Sequence, residues 1–270
     1  MKLSVFENLK ILKASLKYTF LEETAFWSNN IASVFSTTFY NITYLLFIEV
    51  LYSNVDSIAG YDKNQMLFFY FFAECAAYFF GVFINSNLMN LIKSVNSGTL
   101  DLLLSKPVSA LFYLSTWKIK IFSGVRDSIP PLILVILVID WNELIIDPVN
   151  LVWGMVIFIL GMQIIYALLW IAASISFWVG ESRNILDLVH DTWFSAASTL
   201  PLEGFSSGLR LFFTFIIPGL VPAALASSVA LGKSDGFAAF LVTIFVFIVF
   251  WWLRIYIWKK ALRSYTSASS

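Results

Sequence analysis

Charged residues are scarce in this chain. Only 13% of its 270 residues are Asp, Glu, Lys or Arg, whereas soluble domains carry about 25%. Hydrophobic residues make up 59% and aromatic residues 18%. This balance excludes a soluble globular protein and predicts an all-α, polytopic integral membrane protein. Basic and acidic residues both number 17, so the net charge gives no indication of a nucleic-acid partner.

Residues and motifs that support chemistry are also missing. Cys75 is the only cysteine and His190 the only histidine, which excludes an intrachain disulfide, most metal sites and a histidine cluster. The phosphate-binding pattern G-x-x-x-x-G-K-[ST] is absent, as are G-x-S-x-G and H-E-x-x-H. The chain is therefore predicted not to be an enzyme, to hold no cofactor and not to hydrolyse ATP by itself.

The N-terminal 25 residues are predicted to form an amphipathic helix rather than a cleavable signal. Three lysines interrupt the place where a signal would need an apolar run, so we expect the first span to serve as the targeting signal. The apolar residues of this segment fall on one helical face with the lysines beside them. They are Val5, Leu9, Leu12 and Leu16, beside Lys10, Lys13 and Lys17. Such a helix is expected to lie in the membrane interface and to contact lipid headgroups.

Apolar segments long enough to cross a membrane recur along the chain. The clear ones lie at about 31–52, 65–91, within 111–139, 151–179 and 237–258. A further span is needed between 180 and 231, and its position is ambiguous. Together these segments predict six transmembrane helices in one permease-like domain over 1–263, followed by a disordered tail over 264–270.

A polar loop, 93–110, separates the second and third spans. Asn96, Ser97 and Gly98 indicate a turn, and Pro107 ends the helix that follows. That short helix, 98–106, has Asp101 in its first turn and Lys106 in its last, as the helix dipole favours. Its apolar residues recur at helical spacing, and they are Leu100, Leu103 and Leu104. Such a face either docks on a partner or simply covers the loop's own helix bundle.

The loop also resembles a known family. Residues 97–108, SGTLDLLLSKPV, are similar to the loop of permeases from uncharacterised bacterial type-2 ABC export systems, in which the pattern is close to G-x-L-D-x-L-L-x-K-P-V. Elsewhere the likeness is one of layout. The resemblance implies a coupling helix that docks on a separate ATPase. The residues concerned are Gly98, Thr99, Leu100, Asp101, Leu103, Leu104, Lys106 and Pro107.

The same resemblance implies the partners and the location of the protein. ATP and Mg²⁺ would bind to the partner ATPase subunits, and a second permease, identical or related, would complete the transporter. The membrane would be the bacterial plasma (inner) membrane. Type-2 exporters also carry a re-entrant element between their last two spans.

That re-entrant element bears on the ambiguous stretch 180–231. In one interpretation 205–231 is the fifth span and 180–204 is cytosolic. In the other, 184–200 is the fifth span, and 205–231 enters the membrane from the outside and turns back at Pro218–Pro222. The resemblance favours the second interpretation.

Basic residues predict the orientation through the positive-inside rule. The N-terminal segment, the region 93–126 and the C-terminus are basic, the last through Arg254, Lys259, Lys260 and Arg263. The intervening loops 54–64, 140–150 and 232–236 hold only Lys63 and Lys233. Both termini and the loop 93–110 are therefore predicted to be cytosolic.

Glu74 is the most conspicuous polar residue, because it lies near the middle of the second span. A carboxylate there either faces the transport path or has a structural role, paired with a polar group on a neighbouring helix or protonated and neutral. Pro218 and Pro222 are further candidates for the path. Arg126 and Asp127 are adjacent, so we expect each to need another partner. His190, with its neighbouring aspartates, is interpreted as a polar start of the fifth span rather than a proton relay.

These features favour the permease subunit of an ATP-driven exporter. The alternatives are a secondary transporter that uses Glu74 as its proton carrier and a structural membrane protein without transport. A secondary transporter often shows internal repeats with matching broken helices, and the sequence shows no such repeat.

Overall fold

The computed structural model describes residues 5–25, 27–180 and 182–265, and the side chains of 5–6, 27–29 and 193–199 are excluded from the description. Residues 1–4 and 266–270, and the Val5 side chain, therefore lie outside it. The helices in chain order are α1 (Val5–Thr24), α2 (Trp27–Tyr52), α3 (Lys63–Phe79), α4 (Ser86–Asn96), α5 (Leu100–Leu104), α6 (Ala110–Thr116), α7 (Ile121–Val138), α8 (Pro148–Ser174), α9 (Ser176–Val179), α10 (Arg183–Thr199), α11 (Ser207–Phe215), α12 (Ala226–Ala230) and α13 (Gly236–Ser264). Two π-helical segments, Phe80–Asn85 and Val221–Leu225, precede α4 and α12, and a 3₁₀ turn covers Leu202–Gly204.

The prediction of an all-α polytopic membrane protein is confirmed. About 80% of the structure is helical, and the described residues contain no strand. In the part of the chain that the structure describes, five helices are long and apolar enough to cross a membrane: Asn30–Tyr52, Lys63–Asn96, Ile121–Val138, Pro148–Val179 and Gly236–Ser264. They coincide with the five clearly predicted spans. The remaining predicted span, 184–200, coincides with α10, which has 17 residues.

The third predicted span is divided into two helices. α6 ends at Thr116 and α7 begins at Ile121. The backbone amide of Lys118 bonds to the Asn87 side chain at 2.7 Å, and that of Lys120 bonds to the Val82 carbonyl at 3.0 Å. Both amides thus bond to the continuous helix of the second span, so residues 117–120 form a bend against it instead of a further helical turn.

Close packing between α8 and the segment before α13 forms the centre of the bundle. A Cβ at Gly161 would lie 2.7 Å from the Pro222 Cα, and one at Gly154 would lie 2.7 Å from the Ala230 Cβ. All residues of 221–230 are buried. Small residues let two helices approach closely, which is the usual means of association between helices in a membrane.

The stretch 205–231 forms a helical hairpin whose two ends meet. Its outward limb is α11, and its return limb is the second π-helical segment with α12. The Ser228 hydroxyl donates to Glu203 Oε1 at 2.6 Å, and the Lys233 amine donates to the Gly60 carbonyl at 2.7 Å. Burial and the nearby Glu203 carboxylate raise the pKa of Tyr61. Both ends of the hairpin therefore lie beside the loop between α2 and α3.

The N-terminal helix α1 packs against α6 and α7 through a polar face. Ser15 and Thr19 are buried there, and the Ser15 hydroxyl donates to the Thr116 carbonyl at 3.0 Å. The Lys118 amine lies 2.5 Å from a Glu22 carboxylate oxygen. Of the predicted leucine stripe, Leu9 is exposed, whereas Leu12 and Leu16 are half-buried.

Candidate coupling loop and intramembrane sites

The loop between the second and third spans has the predicted turn and a shorter helix than predicted. Gly98 has φ +69°, a left-handed conformation that glycine adopts without strain. The Ser97 amide bonds to the Lys93 carbonyl at 2.9 Å, which closes α4. The helix predicted over 98–106 is α5, Leu100–Leu104, with Asp101 in its first turn as expected.

The leucines of α5 do not share one environment. Leu100 is fully buried in the bundle and Leu103 packs partly against it. Leu104 is 40% exposed, and Leu102, which the sequence pattern left out, is 67% exposed. The face expected to dock as a unit is therefore divided: Leu100 holds α5 on its own bundle, whereas Leu102 and Leu104 point away from it.

Lys106 and Pro107 follow α5 rather than belonging to its last turn. The last turn of α5 contains no basic residue. The Lys106 amine lies 4.6 Å from the centre of the Tyr113 ring, a cation–π distance. Partial burial and the nearby Asp101 carboxylate raise the pKa of Tyr265, which places the end of α13 beside α5.

Asn87 joins the second span to the start of the third span, and the sequence analysis missed it. Its side chain is fully buried and donates to the Phe83 and Ser115 carbonyls, each at 3.0 Å. It also accepts from the Lys118 amide. One side chain thus links α4 to the end of α6 and to the bend before α7. The sequence offered no clear signal for it, because Asn87 is one of several polar residues in α4, with Ser86 and Asn90 beside it.

Glu74 lies between α2 and α3 and is 7% exposed. Its carboxylate is within hydrogen-bonding reach of Tyr70, Tyr78 and Asn41. The Tyr70 hydroxyl donates to the Asn41 oxygen at 2.7 Å. Because Asn41 belongs to α2, Glu74 has a polar contact on a neighbouring helix, which is one of the two alternatives that the sequence left open.

The expectation that the side chains of Arg126 and Asp127 do not pair with each other is wrong, although Arg126 does have a further partner. Arg126 Nε and Nη2 each donate to an Asp127 oxygen at 2.7 Å, because the long arginine side chain folds back along α7. Arg126 also donates to the Asn30 side chain. The pair borders a polar cleft of about 500 Å³ between α1, α2, α3 and α7.

The other candidate residues from the sequence analysis lie in separate parts of the structure. Pro218 and Pro222 are buried in the hairpin, and neither they nor Glu74 are among the described residues that line the polar cleft. His190 stacks on Phe80 with ring centres 4.2 Å apart, and its Nδ1 lies 3.1 Å from Asp191 Oδ1. None of the path candidates from the sequence therefore lines the polar cleft.

The structure is thus a bundle of apolar helices with a short helix on the loop between the second and third spans. The model of the family described as "ABC-2 family transporter protein" matches residues 38–269. The chain belongs to this family. No curated protein and no solved structure matches it.

Membership in the family defines the general role of the chain. It is an ABC-type permease, a multi-pass membrane component of a transporter. Permeases of this family are transport components without a nucleotide-binding domain of their own. The family also implies ATPase partners and oligomerisation in general. It does not favour a secondary transporter.

Proposed function

We propose that this chain is the membrane subunit of an ATP-driven exporter that pairs with a second permease, identical or related, and with separate ATPase subunits. ATP and Mg²⁺ would bind on those ATPase subunits. The observation that carries the proposal is the attachment of α5: one side is held by the bundle and the other is exposed. A helix attached in this way can receive a force from a partner and transmit it to the spans.

The transmission route follows the contacts of the loop. Leu100 lies in the same hydrophobic core as Leu91 of α4, and Asn87 bonds to the end of α6 and to the bend before α7. Movement of α5 would therefore pull the second span and the start of the third together. In a dimer, this movement would change the side to which a path between the two permeases opens.

The placement in the membrane rests on charge and on the hairpin. The lysine and arginine distribution supports cytosolic termini and a cytosolic loop 93–110. The meeting ends of the hairpin support a re-entrant segment 205–231 that enters and leaves at the same membrane surface. The exposed lysines of α1 support an interfacial helix over 1–25. The bacterial plasma membrane remains part of the proposal, as does one permease domain over 1–263.

Glu74 fits a structural role in this scheme. Its contact with Asn41 joins α2 to α3, and a buried carboxylate with several hydrogen-bond donors needs no transported proton to be tolerated. Pro218 and Pro222 are proposed to break the hairpin next to the path rather than to contact cargo. Pro222 packs on Gly161 of α8, which leaves no space for a ligand between them.

The test is the composition and activity of the native complex. The permease is tagged in cells that express it naturally and purified in mild detergent. We expect a co-purifying protein with a G-x-x-x-x-G-K-[ST] loop, Mg²⁺-dependent ATP hydrolysis, and a mass by native mass spectrometry that corresponds to two permeases and two ATPases. A permease that purifies without any ATPase, under conditions that preserve other ABC transporters from the same membranes, would contradict the proposal.

A further inference from the structure

Arg254 of α13 is enclosed by aromatic rings. It is 6% exposed, and its guanidinium carbon lies 4.6 Å from the ring centre of Tyr166, 4.8 Å from that of Trp170 and 4.6 Å from that of Trp251. Nη2 donates to the Tyr166 hydroxyl at 3.0 Å. Nε is buried without a hydrogen-bond partner.

The positive charge of Arg254 is not matched by a carboxylate. Among the described residues, none of the ion pairs includes Arg254. Cation–π contacts attract the guanidinium but carry no net negative charge. A buried charge without a counter-ion is strongly unfavourable in a membrane protein. An anion from outside the chain would therefore complete this site.

The guanidinium borders a cleft of about 380 Å³ that polar and apolar residues line together. The polar lining includes Arg254, Gln163 and Ser115, and the Ser115 hydroxyl shares a hydrogen bond with Tyr166. The apolar lining includes Phe79 and Phe83 of the second span, whose rings lie 4.7 Å apart. A cleft lined by a cation, hydrogen-bonding groups and aromatic rings suits a molecule with an anionic head and an apolar chain.

The depth of the cleft matches a lipid headgroup. Arg254 lies 18 residues after Gly236, the first residue of α13, which corresponds to ~27 Å along a helix at ~1.5 Å per residue. The hydrocarbon core of a bilayer is about 30 Å thick. Lys259 and Lys260 follow and are exposed. Arg254 is therefore close to the membrane surface at which α13 ends.

We propose that this cleft binds an anionic membrane lipid, with the phosphate of the headgroup on Arg254 and an acyl chain along Phe79 and Phe83. Guanidinium groups bind phosphate oxygens through paired N–H donors. The cleft lies between the second span, α6, α8 and α13, so a lipid there would contact the elements on both sides of the loop. The site does not depend on which partners the permease has.

The test measures lipid retention by the purified permease in native mass spectrometry. The probes are phosphatidylglycerol, which is anionic, and phosphatidylcholine, which is zwitterionic. We expect the unmodified protein to retain phosphatidylglycerol at least tenfold more strongly, and Arg254→Gln to lose this preference. Lys259→Gln, which removes an exposed positive charge from the same helix, is the matched control and should keep the preference.

A second variant, Gln163→Glu, keeps Arg254 and adds a negative charge to the same cleft. Glutamate has nearly the same shape as glutamine, so the protein should stay folded. The new carboxylate should compete with the lipid phosphate for Arg254 and abolish lipid retention. This variant decides the question if Arg254→Gln fails to fold. Retention of phosphatidylglycerol by Gln163→Glu would overturn the proposal, as would an equal loss in Lys259→Gln. Displacement of the lipid by millimolar inorganic phosphate would show that a soluble anion is the ligand, which would also overturn it.

Discussion

The exposed leucines of α5 provide the sharpest test of coupling. In the double variant Leu102→Ala and Leu104→Ala, the two side chains that point away from the bundle are truncated. Neither truncation opens a buried cavity, so the permease should insert and fold as before. If the ATPase docks on α5, the variant should bind it more weakly.

The expected magnitude follows from the exposed area of each side chain. Burying a whole leucine side chain contributes about 1.5–3 kcal/mol. Leu102 is 67% exposed and Leu104 is 40% exposed, so docking could bury at most these fractions, worth ~1–2 and ~0.6–1.2 kcal/mol. Their sum corresponds to a loss in affinity of roughly 15- to 200-fold.

The assay is retention of the ATPase on the tagged permease at graded ATPase concentrations, with permease abundance measured in the same membranes. Leu100→Ala is the matched control, because Leu100 is fully buried. A buried leucine truncated to alanine costs about 2–5 kcal/mol of stability, so this variant should lower permease abundance or melting temperature. Unchanged ATPase affinity in the Leu102/Leu104 double variant would refute docking through α5. Joint loss of abundance and binding would show that these leucines hold the bundle instead.

Three further predictions concern the spans and the hairpin. Gly161→Ala should lower the melting temperature in detergent, at a cost of about 1–3 kcal/mol, because the added Cβ would lie 2.7 Å from a backbone atom of the hairpin. Gly208→Ala is the control and should leave the melting temperature unchanged, because its Cβ would meet nothing within 4 Å. Equal melting temperatures for the two variants would disprove the close packing at Gly161. Glu74→Gln should keep ATPase binding and most ATP-dependent transport, whereas abolition of proton-coupled transport by this change would support a secondary carrier. In a cysteine-free background, Ser206→Cys and Ser234→Cys should react with an impermeant reagent from the same side of the membrane, and labelling from opposite sides would make 205–231 a true span.

Hydropathy located five spans because the length and apolar composition that a span requires are properties of one local stretch of sequence. A helix in a bilayer needs about 20 apolar residues, whatever its neighbours are. The turn at Gly98 was likewise predictable, since a left-handed conformation at that point favours glycine. The sequence was less informative for α10, because 17 residues of moderate polarity satisfy neither the pattern of a span nor that of a surface helix.

The contacts that join these elements depended on distant parts of the chain. Asn87 and Ser115 are 28 residues apart, and Arg254 and Tyr166 are 88 apart, so no local pattern could pair them. For the adjacent Arg126 and Asp127, a local argument gave the wrong result. Helical spacing predicted that their side chains point apart, but the flexible arginine side chain bends back and bonds to Asp127.

The sequence by itself determined that this is an all-α membrane protein, where its clear spans lie, and which loop resembles a coupling segment, because these properties follow from composition and from patterns of a few residues. Only the tertiary structure decided which leucines of that loop are exposed, that Asn87 joins the second span to the start of the third, and that Arg254 is enclosed by aromatic rings at a cleft. The physical reason is that burial and pairing depend on which helix faces which. That arrangement arises from close approach at residues such as Gly161, which local patterns do not specify.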